Sequence, residues 1–288
     1  PNVGKSTLLN RLLKSKVSIT SRRPQTTRHR ILGILSRDNA QLAFLDTPGI
    51  SKKNNKLINR HMNRTASHVL KDVDVVLLVT DKFDWDNETI QIFDKIKRTN
   101  KVFVWIINKV DKIKKKENLL PFIESVSNTY KFAEVFPVSA FTKHNLDSLI
   151  NFLCSNVPTG PFHFASEQVT DCSKNFLVIE LIREQIVRQL GDEIPYETLV
   201  EIDNFSEKST ITEIFANIVV QKKSQKGIVV GTNGDRLKKI GIASRRSLEN
   251  LLKTQVSLKL WVKVVAAWSQ DERVLISNGI AQSEFSFD

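Results

Sequence analysis

Cysteine is almost missing. Cys154 and Cys172 are the only two among 288 residues. Two scattered thiols exclude a disulfide-stapled scaffold and read as reduced groups with no disulfide partner, in a cytoplasmic chain. No run of about 18 uncharged apolar residues occurs, so no membrane-spanning helix is expected. A secretory leader pattern is also lacking, and no internal repeat or low-complexity tract stands out. Acidic residues are scarce where bases concentrate. Residues 14–30 hold six Lys/Arg and no acid, and residues 222–263 hold eleven Lys/Arg with only Asp235 and Glu249.

What is present is ordinary globular composition, 41% hydrophobic and 26% charged, long enough for two domains. The net charge of +12 suits a polyanionic partner. Its distribution is more telling. Residues 1–172 carry 27 basic and 16 acidic residues and residues 173–288 carry 16 and 15, so the basic segment 222–263 stands inside a nearly neutral half. Segregated charge of this kind points to nucleic acid.

The first half alternates apolar runs with amphipathic stretches. Strands are expected at 31–35, 41–45, 73–80, 102–107 and 135–138, with helices at 87–98, 118–130 and 145–154. This rhythm implies a mostly parallel sheet covered on both faces. Val157-Pro158-Thr159-Gly160-Pro161 breaks it. The second half reads as α+β: a helix at 175–190, strands at 198–205 and 210–221, helices at 235–240 and 242–252, a strand at 256–265 and a helix at 271–277. The expected divisions are 1–157, a linker at 158–172, and a C-terminal region at 173–282.

Four elements carry chemistry in the first half. Pro1-Asn2-Val3-Gly4-Lys5-Ser6-Thr7 is the back part of G-x-x-x-x-G-K-[ST], whose first glycine would precede Pro1. In such a loop the backbone N–H groups cradle phosphate, Lys5 reaches the β/γ oxygens and the Ser6 hydroxyl takes a place on Mg²⁺. The helix that follows adds its positive end. Asp46-Thr47-Pro48-Gly49 follows a strand, so Asp46 can hold Mg²⁺ through water and the Gly49 N–H can meet a γ-phosphate. Asn108-Lys109-Val110-Asp111 follows a buried strand. Asp111 can accept from the N1–H and exocyclic amine of guanine, Lys109 can lie over the base, and Asn108 can brace the loops. Ser139-Ala140, after the last strand, offers a backbone N–H to the guanine O6.

Together these resemble the G1, G3, G4 and G5 boxes of a P-loop GTPase, with the strand before Pro1 expected to be central in the sheet. Gln25-Thr26-Thr27-Arg28-His29 resembles the remaining box in one bacterial branch. The resemblance implies that a threonine there joins the Mg²⁺ shell when γ-phosphate is present; Thr27 is favoured, with Thr26 the alternative. Lys5, Thr27 and Gly49 are then the groups expected to act on the γ-phosphate. Ile50 stands where related GTPases carry a water-orienting glutamine. Asn2 matches an asparagine that holds K⁺ in the same branch, so K⁺ is a second expected cation. Arg28 invites reading as an internal arginine finger, but an arginine facing solvent or RNA is the favoured reading.

In the second half, Gly231-Thr232-Asn233-Gly234 resembles the G-x-x-G turn of a KH domain, which lets a single-stranded backbone approach closely. Arg236, Lys238, Lys239, Arg245 and Arg246 surround it, although the two central residues carry no charge. Trp261 and Trp268 flank an alternating strand and read more as core than as stacking platforms. Lys114-Lys115-Lys116 reads as a solvated face, and His61 and His68, seven apart on an expected helix, do not suggest a metal site.

With the boxes, this segment and the Leu260-Trp261-Val262-Lys263 and Trp268–Arg273 stretches, the chain resembles the Era family, bacterial GTPases with a C-terminal type II KH domain. The resemblance implies GTP/GDP and 16S rRNA as partners, a role in small ribosomal subunit maturation, and a cytoplasmic location with peripheral association to the inner membrane. The alternatives are another GTPase of that branch, acting on tRNA or the large subunit, and an RNA-binding protein whose nucleotide domain is only a scaffold.

Overall fold

The computed structural model describes residues 2–23, 26–49, 57–81, 85–99, 101–191 and 194–280. Pro1, Gln25 and Ile50 therefore lie outside the described residues. The chain forms two compact units that do not follow its linear order. Unit 1 comprises Pro1–Ser18, Arg30–Ile50 and Arg64–Asp171; unit 2 comprises Ile19–His29, Ser51–Asn63 and Cys172–Asp288.

Unit 1 opens with helix α1 (Lys5–Leu12), then the antiparallel pair β1 (Ile31–Ser36) and β2 (Gln41–Asp46). Helix α2 (Leu57–Asp72) contains the boundary between units. The parallel sheet β3 (Val75–Thr80), β4 (Val102–Ile107) and β5 (Glu134–Pro137) alternates with α3 (Asn87–Lys97), α4 (Leu119–Thr129) and α5 (Leu146–Asn156). Strand β4 is apolar throughout because both its faces are covered, the signature of a central parallel strand. Phe103, Trp105 and Ile107 pack with Phe93, Ile96 and Val126. Val104 and Ile106 pack on the other face with Leu8 and Leu12 of α1 and Leu149 and Leu153 of α5. Each such side chain contributes roughly 1.5–3 kcal/mol. That sandwiching fixes the carboxyl ends of the strands, where the motifs sit.

Strands β2 and β3 belong to separate sheets. A cavity of about 930 Å³ lies beside both and is lined by every residue of each. The segment expected to be a linker is tied to β1 and β2. Thr170 Oγ1 donates to Leu32 O at 2.6 Å, and the Gln41 side chain bonds His163 and Phe164.

Unit 2 has helix α6 (Lys174–Gln189), strands β6 (Leu199–Glu207) and β7 (Ile211–Val220), helices α7 (Lys223–Val230) and α8 (Asp235–Leu252), strand β8 (Gln255–Val264) and helix α9 (Glu272–Ser277). The sheet order is β6-β7-β8, with β6 antiparallel and β8 parallel to β7. Val178, Ile182 and Ile186 of α6 share a core with Ile214, Ile218, Ile240 and Leu248. Two expectations change. The helices expected at 235–240 and 242–252 are one: Gly241 sits inside α8, and the cost of an interior glycine, about 1 kcal/mol, is outweighed by the packing of Ile240 and Leu248. Trp268 is core, but Trp261 is 64% exposed, because it occupies the opposite face of β8 from Val262.

Candidate nucleotide and nucleic-acid sites

The phosphate loop meets α1 at Gly4, whose φ of 97° is in the left-handed region. The first turn of α1, which includes the partly buried Lys5, Ser6 and Thr7, carries no acidic residue of its own. Ser6 Oγ donates to Asp46 Oδ2 at 2.7 Å, and Ser18 Oγ donates to the same oxygen at 2.9 Å. Asp46 is at the end of β2, 6% exposed; Thr47, Pro48 and Gly49 continue from it. Burial lowers the Lys5 ammonium below its ordinary value, with the Asp46 carboxylate pulling it back up. A hydroxyl and a carboxylate brought together here are the hard oxygen donors Mg²⁺ takes, so Ser6 and Asp46 fit the expected ion.

Asn108 holds three loops together. Its Nδ2 donates to Val3 O at 2.8 Å and its Oδ1 accepts from Ala140 N at 3.0 Å. This is the bracing role expected of it. Lys109, itself at φ 63°, donates from Nζ to Asn2 O at 2.6 Å and to Asp81 Oδ2 at 2.5 Å. Ser139 Oγ donates to Asp111 Oδ1 at 2.5 Å, which ties the Asp111 carboxylate to the neighbouring loop. The Ser139 N–H is given to His144 O, so both amides of Ser139-Ala140 have protein partners. The geometry thus joins Asn2, Val3, Asn108, Lys109, Asp111, Ser139 and Ala140 at one end of the parallel sheet.

Three contributors escape motif reading. Asp81 follows β3 directly, and the rule that singled out Asp46 would have found it. Asn10 and Ser18 carry no such signal. Asn10 Oδ1 accepts from Val17 N and Ser18 N, both at 3.0 Å, and its Nδ2 donates to Ser18 O at 2.7 Å.

Thr27 belongs to unit 2 and is 7% exposed. Its neighbour Arg28 is neither a finger nor a solvent-facing group. It is 4% exposed and donates to Thr198 O and Pro195 O, each at 2.8 Å. Burial, and then Arg183, push its guanidinium down to about 9, with Glu180 and Tyr196 pulling up, which leaves it charged at neutral pH. His29 Nδ1 meets Gly279 O at 3.1 Å, and its ring lies edge-on to Phe176.

Burial holds His29 below its ordinary value, with Glu180 opposing and Arg183 assisting. The folded state then favours the neutral ring, and the unfolded chain takes its proton first. This contribution is complete above about pH 6.5 and is lost as pH falls through the lower folded value. We expect the urea midpoint to drop from pH 7 to 5.5 in the parent protein and to vary less in His29→Gln. Equal pH slopes would exclude His29 as the cause. Glu180, held low by Arg183 against its own desolvation, loses its contribution only below the ordinary carboxyl value, so it keeps that contribution between pH 7 and 5.5.

The second site lies between α7 and α8. Gly231 has φ 74° and Gly234 φ 78°, with Asn233 also left-handed at φ 51°. A Cβ on Gly231 would lie 2.7 Å from Arg236 Cβ, whereas one on Gly234 would meet nothing within 4 Å. The first glycine is therefore required by the turn itself, and the second leaves open space. Arg236 Nη1 donates to Ile228 O at 2.7 Å and closes the end of α7. Thr232, Asn233, Lys238, Lys239, Arg245 and Arg246 are exposed, and the seven-residue spacing from Lys238 to Arg245 and from Lys239 to Arg246 repeats each charge two turns along α8. Ile228 and Ile242 are exposed apolar side chains at 41% and 40%. Among the described residues no His/Cys/Asp/Glu cluster suits a metal, no helix is long and apolar enough to cross a membrane, and Cys154 and Cys172 are free thiols. Lys114, Lys115 and Lys116 are exposed.

Comparison with known proteins finds a known family for each half of the chain. A family model described as 50S ribosome-binding GTPase matches residues 1–109, and a KH domain model matches residues 193–269. GTPase Era of Azotobacter vinelandii is 44% identical over 283 residues, covering 98% of this chain and 94% of the relative. GTPase Era of Pseudomonas syringae pv. tomato is 45% identical over 279 residues, covering 97% and 93%. A solved structure of Era in complex with MgGDPNP and nucleotides 1506–1542 of 16S ribosomal RNA superposes with a TM-score of 0.93 at 36% identity, over 98% of this chain and 96% of that one. A point variant of Aquifex aeolicus Era bound to GDP and AlF4⁻ gives 0.94 at the same identity and coverage. Both domain families, in the order of the two sites, and relatives alike along nearly their whole length place the chain in one group: it belongs to the Era family of GTPases, a P-loop GTPase domain followed by a KH domain.

Proposed function

We propose that this protein hydrolyses GTP to GDP and phosphate, and that it binds the 3′ end of 16S rRNA through its G-x-x-G turn in support of small-subunit assembly. The nucleotide half rests chiefly on the Asn108 bridge, one side chain joining Val3 of the phosphate loop to Ala140 beside Asp111. Phosphate end and base end are thereby held at a fixed separation, which is what recognition of a whole nucleotide needs. Lys5 and the backbone N–H groups from Gly4 to Thr7 stabilise charge on the phosphates, and Asp111 selects guanine. Ser6 and Asp46 are the proposed holders of Mg²⁺, with Thr27 joining when γ-phosphate is present; the ion supplies charge neutralisation at the β and γ oxygens. The exposed Asn2 is the proposed K⁺ ligand, in place of a finger that Arg28 cannot supply. Peripheral association with the inner membrane is the further proposal, to which the net charge of +12 is suited.

Phosphate release and RNA binding, measured side by side, test both halves. Lys5→Ala is expected to lower release by about 10²–10³-fold, the loss typical of one removed charge-stabilising donor, and to leave RNA affinity intact. Exchanging K⁺ for Na⁺ is expected to slow the parent protein. Gly231→Asp/Gly234→Asp is expected to weaken binding of an oligonucleotide matching the 16S rRNA tail at least about tenfold, a loss of about 1.4 kcal/mol, with hydrolysis retained. RNA binding without any Lys5-dependent release would instead favour a scaffold role for the nucleotide domain.

A further inference from the structure

Strand β8 has two unlike faces. Val256, Leu258, Leu260 and Val262 join the core that supports the G-x-x-G helices, and a Cβ on Gly241 of α8 would lie 3.8 Å from Leu260 Cδ1. Lys259, Trp261 and Lys263 alternate with them, point the other way and are exposed. Because β8 is an edge of the sheet β6-β7-β8, its two faces are separated by a single strand. Exposed apolar side chains gather around it. Five of the ten large ones among the described residues are Ile228 of α7, Ile242 of α8, Trp261, Val264 and the next residue, Val265.

One residue on the outward face lacks what a buried amide needs. Ala216 and Ile218 of β7 face the helices, so Asn217 between them faces outward, opposite Trp261 in the ladder. It is 1% exposed, yet neither its Oδ1 nor its Nδ2 has a hydrogen-bond partner among the described residues. Its neighbours along β7 on that face differ. Val219 is buried with Trp268 and Leu275, whereas Phe215 is partly exposed, with Lys259 Nζ 5.0 Å from its ring centre. Asn217 therefore marks the line where the covered end of the face meets its open end. A buried amide without partners is destabilising, and a ligand that brings both an acceptor and a donor offsets that.

We propose that the outward face of β8 is a second contact surface for single-stranded RNA, with Trp261 stacking on a base and Asn217 pairing with a base edge. This rests on the reading that the protein binds RNA through its G-x-x-G turn. An exposed aromatic ring between two lysines on one strand supplies the stacking and phosphate contacts that single-stranded RNA takes. The Asn217 amide, one donor beside one acceptor, matches the N6 and N7 edge of adenine. A base reaches it as the Trp261 ring turns; at 64% exposed that ring has room to do so. Lys263 pairs with Asp203 at 3.6 Å, both half-exposed, and such a pair is weak enough to exchange for phosphate. Glu201 stands opposite Asn217 on β6, which keeps phosphate on the β8 side. RNA crossing the β8 edge joins this surface to the G-x-x-G site, since one strand supports both.

The test measures affinity of the full chain for a four-nucleotide single-stranded RNA, the length a G-x-x-G groove holds. It is repeated with the same RNA lengthened to about twelve nucleotides by adenosine or by uridine. Lengthening is expected to tighten binding, and adenosine more than uridine. Trp261→Ala is expected to weaken the adenosine-lengthened RNA by about 5–150-fold, the effect of one stacked base, with the four-nucleotide RNA within about twofold. Trp261→Phe is expected to restore most of the loss. In Asn217→Leu the urea midpoint is expected to rise, because the orphaned amide is gone, while the preference for adenosine shrinks. Parent-like affinity of Trp261→Ala for every RNA, or an undiminished adenosine preference in Asn217→Leu, would overturn this surface and leave the G-x-x-G reading standing. A concentration-dependent dimer that Trp261→Ala abolishes, with RNA affinities unchanged, would assign the face to a second copy of the chain instead. A parent that binds no RNA of either length would overturn the RNA half of the functional reading and this surface with it.

Discussion

Gly4→Ala is expected to reduce guanine-nucleotide affinity at least about hundredfold and to destabilise unit 1. Two costs add. At φ 97° an alanine sits in a region that L residues rarely adopt, a strain of about 1–3 kcal/mol. A Cβ there also runs into Asn108 Nδ2. Asn108 is 2% exposed and cannot swing into solvent, so its amide must give up Val3 O, Ala140 N or both. Each buried group left without a partner costs about 1–3 kcal/mol. Hundredfold corresponds to about 2.7 kcal/mol, well within that sum. A fluorescence titration with a guanine nucleotide, beside a urea curve, checks it. Affinity within about threefold of the parent would show that the Asn108 bridge does not set the loop.

Arg28→Ala is the second large effect, and it falls on unit 2. The lost guanidinium leaves Thr198 O and Pro195 O without their donor, and removes the aliphatic stem from a buried position. We expect a loss of about 2–4 kcal/mol, a large share of the 5–15 kcal/mol typical of a domain. Arg28→Lys keeps the charge but not the planar fork, and one ammonium does not reproduce two divergent bonds, so an intermediate loss is expected. Urea denaturation of all three proteins settles the order. A loss below about 0.5 kcal/mol for Arg28→Ala would show that water replaces the guanidinium at both carbonyls.

These two sites differ in how far they can be read from residues alone. Asp46, Asn108 and Asp111 are legible because each ends an apolar strand, and a parallel sheet brings strand ends to one crevice by its topology. Asp81 obeys the same rule after β3. Ser18 and Asn10 do not: a serine in a basic, aperiodic stretch has no local mark that it will face a carboxylate 28 residues away. Arg28 shows the limit from the other side. In a segment with six bases and no acid it looks like a solvated or RNA-facing arginine, yet its partners lie 167 and 170 residues later.

Sequence by itself determined the fold class, the alternation of strands and helices, the nucleotide boxes and the G-x-x-G turn. Those features depend on short-range periodicity and on backbone conformations that particular residues permit or require. Tertiary structure decided the rest. It merged α8 across Gly241, exposed Trp261 while burying Trp268, and grouped residues 19–29 with the C-terminal unit. It also buried Glu180, Arg183 and Glu184 of α6, each 2% exposed or less. A helix reading Ile-Glu-Leu-Ile-Arg-Glu presents those charges as a solvent face. Glu180 and Arg183 pair within the helix and Arg188 reaches Glu184, while Thr20 and Thr26, arriving from far away in the chain, supply further partners to Glu184 and Arg183; buried charge is tolerable only when such partners exist.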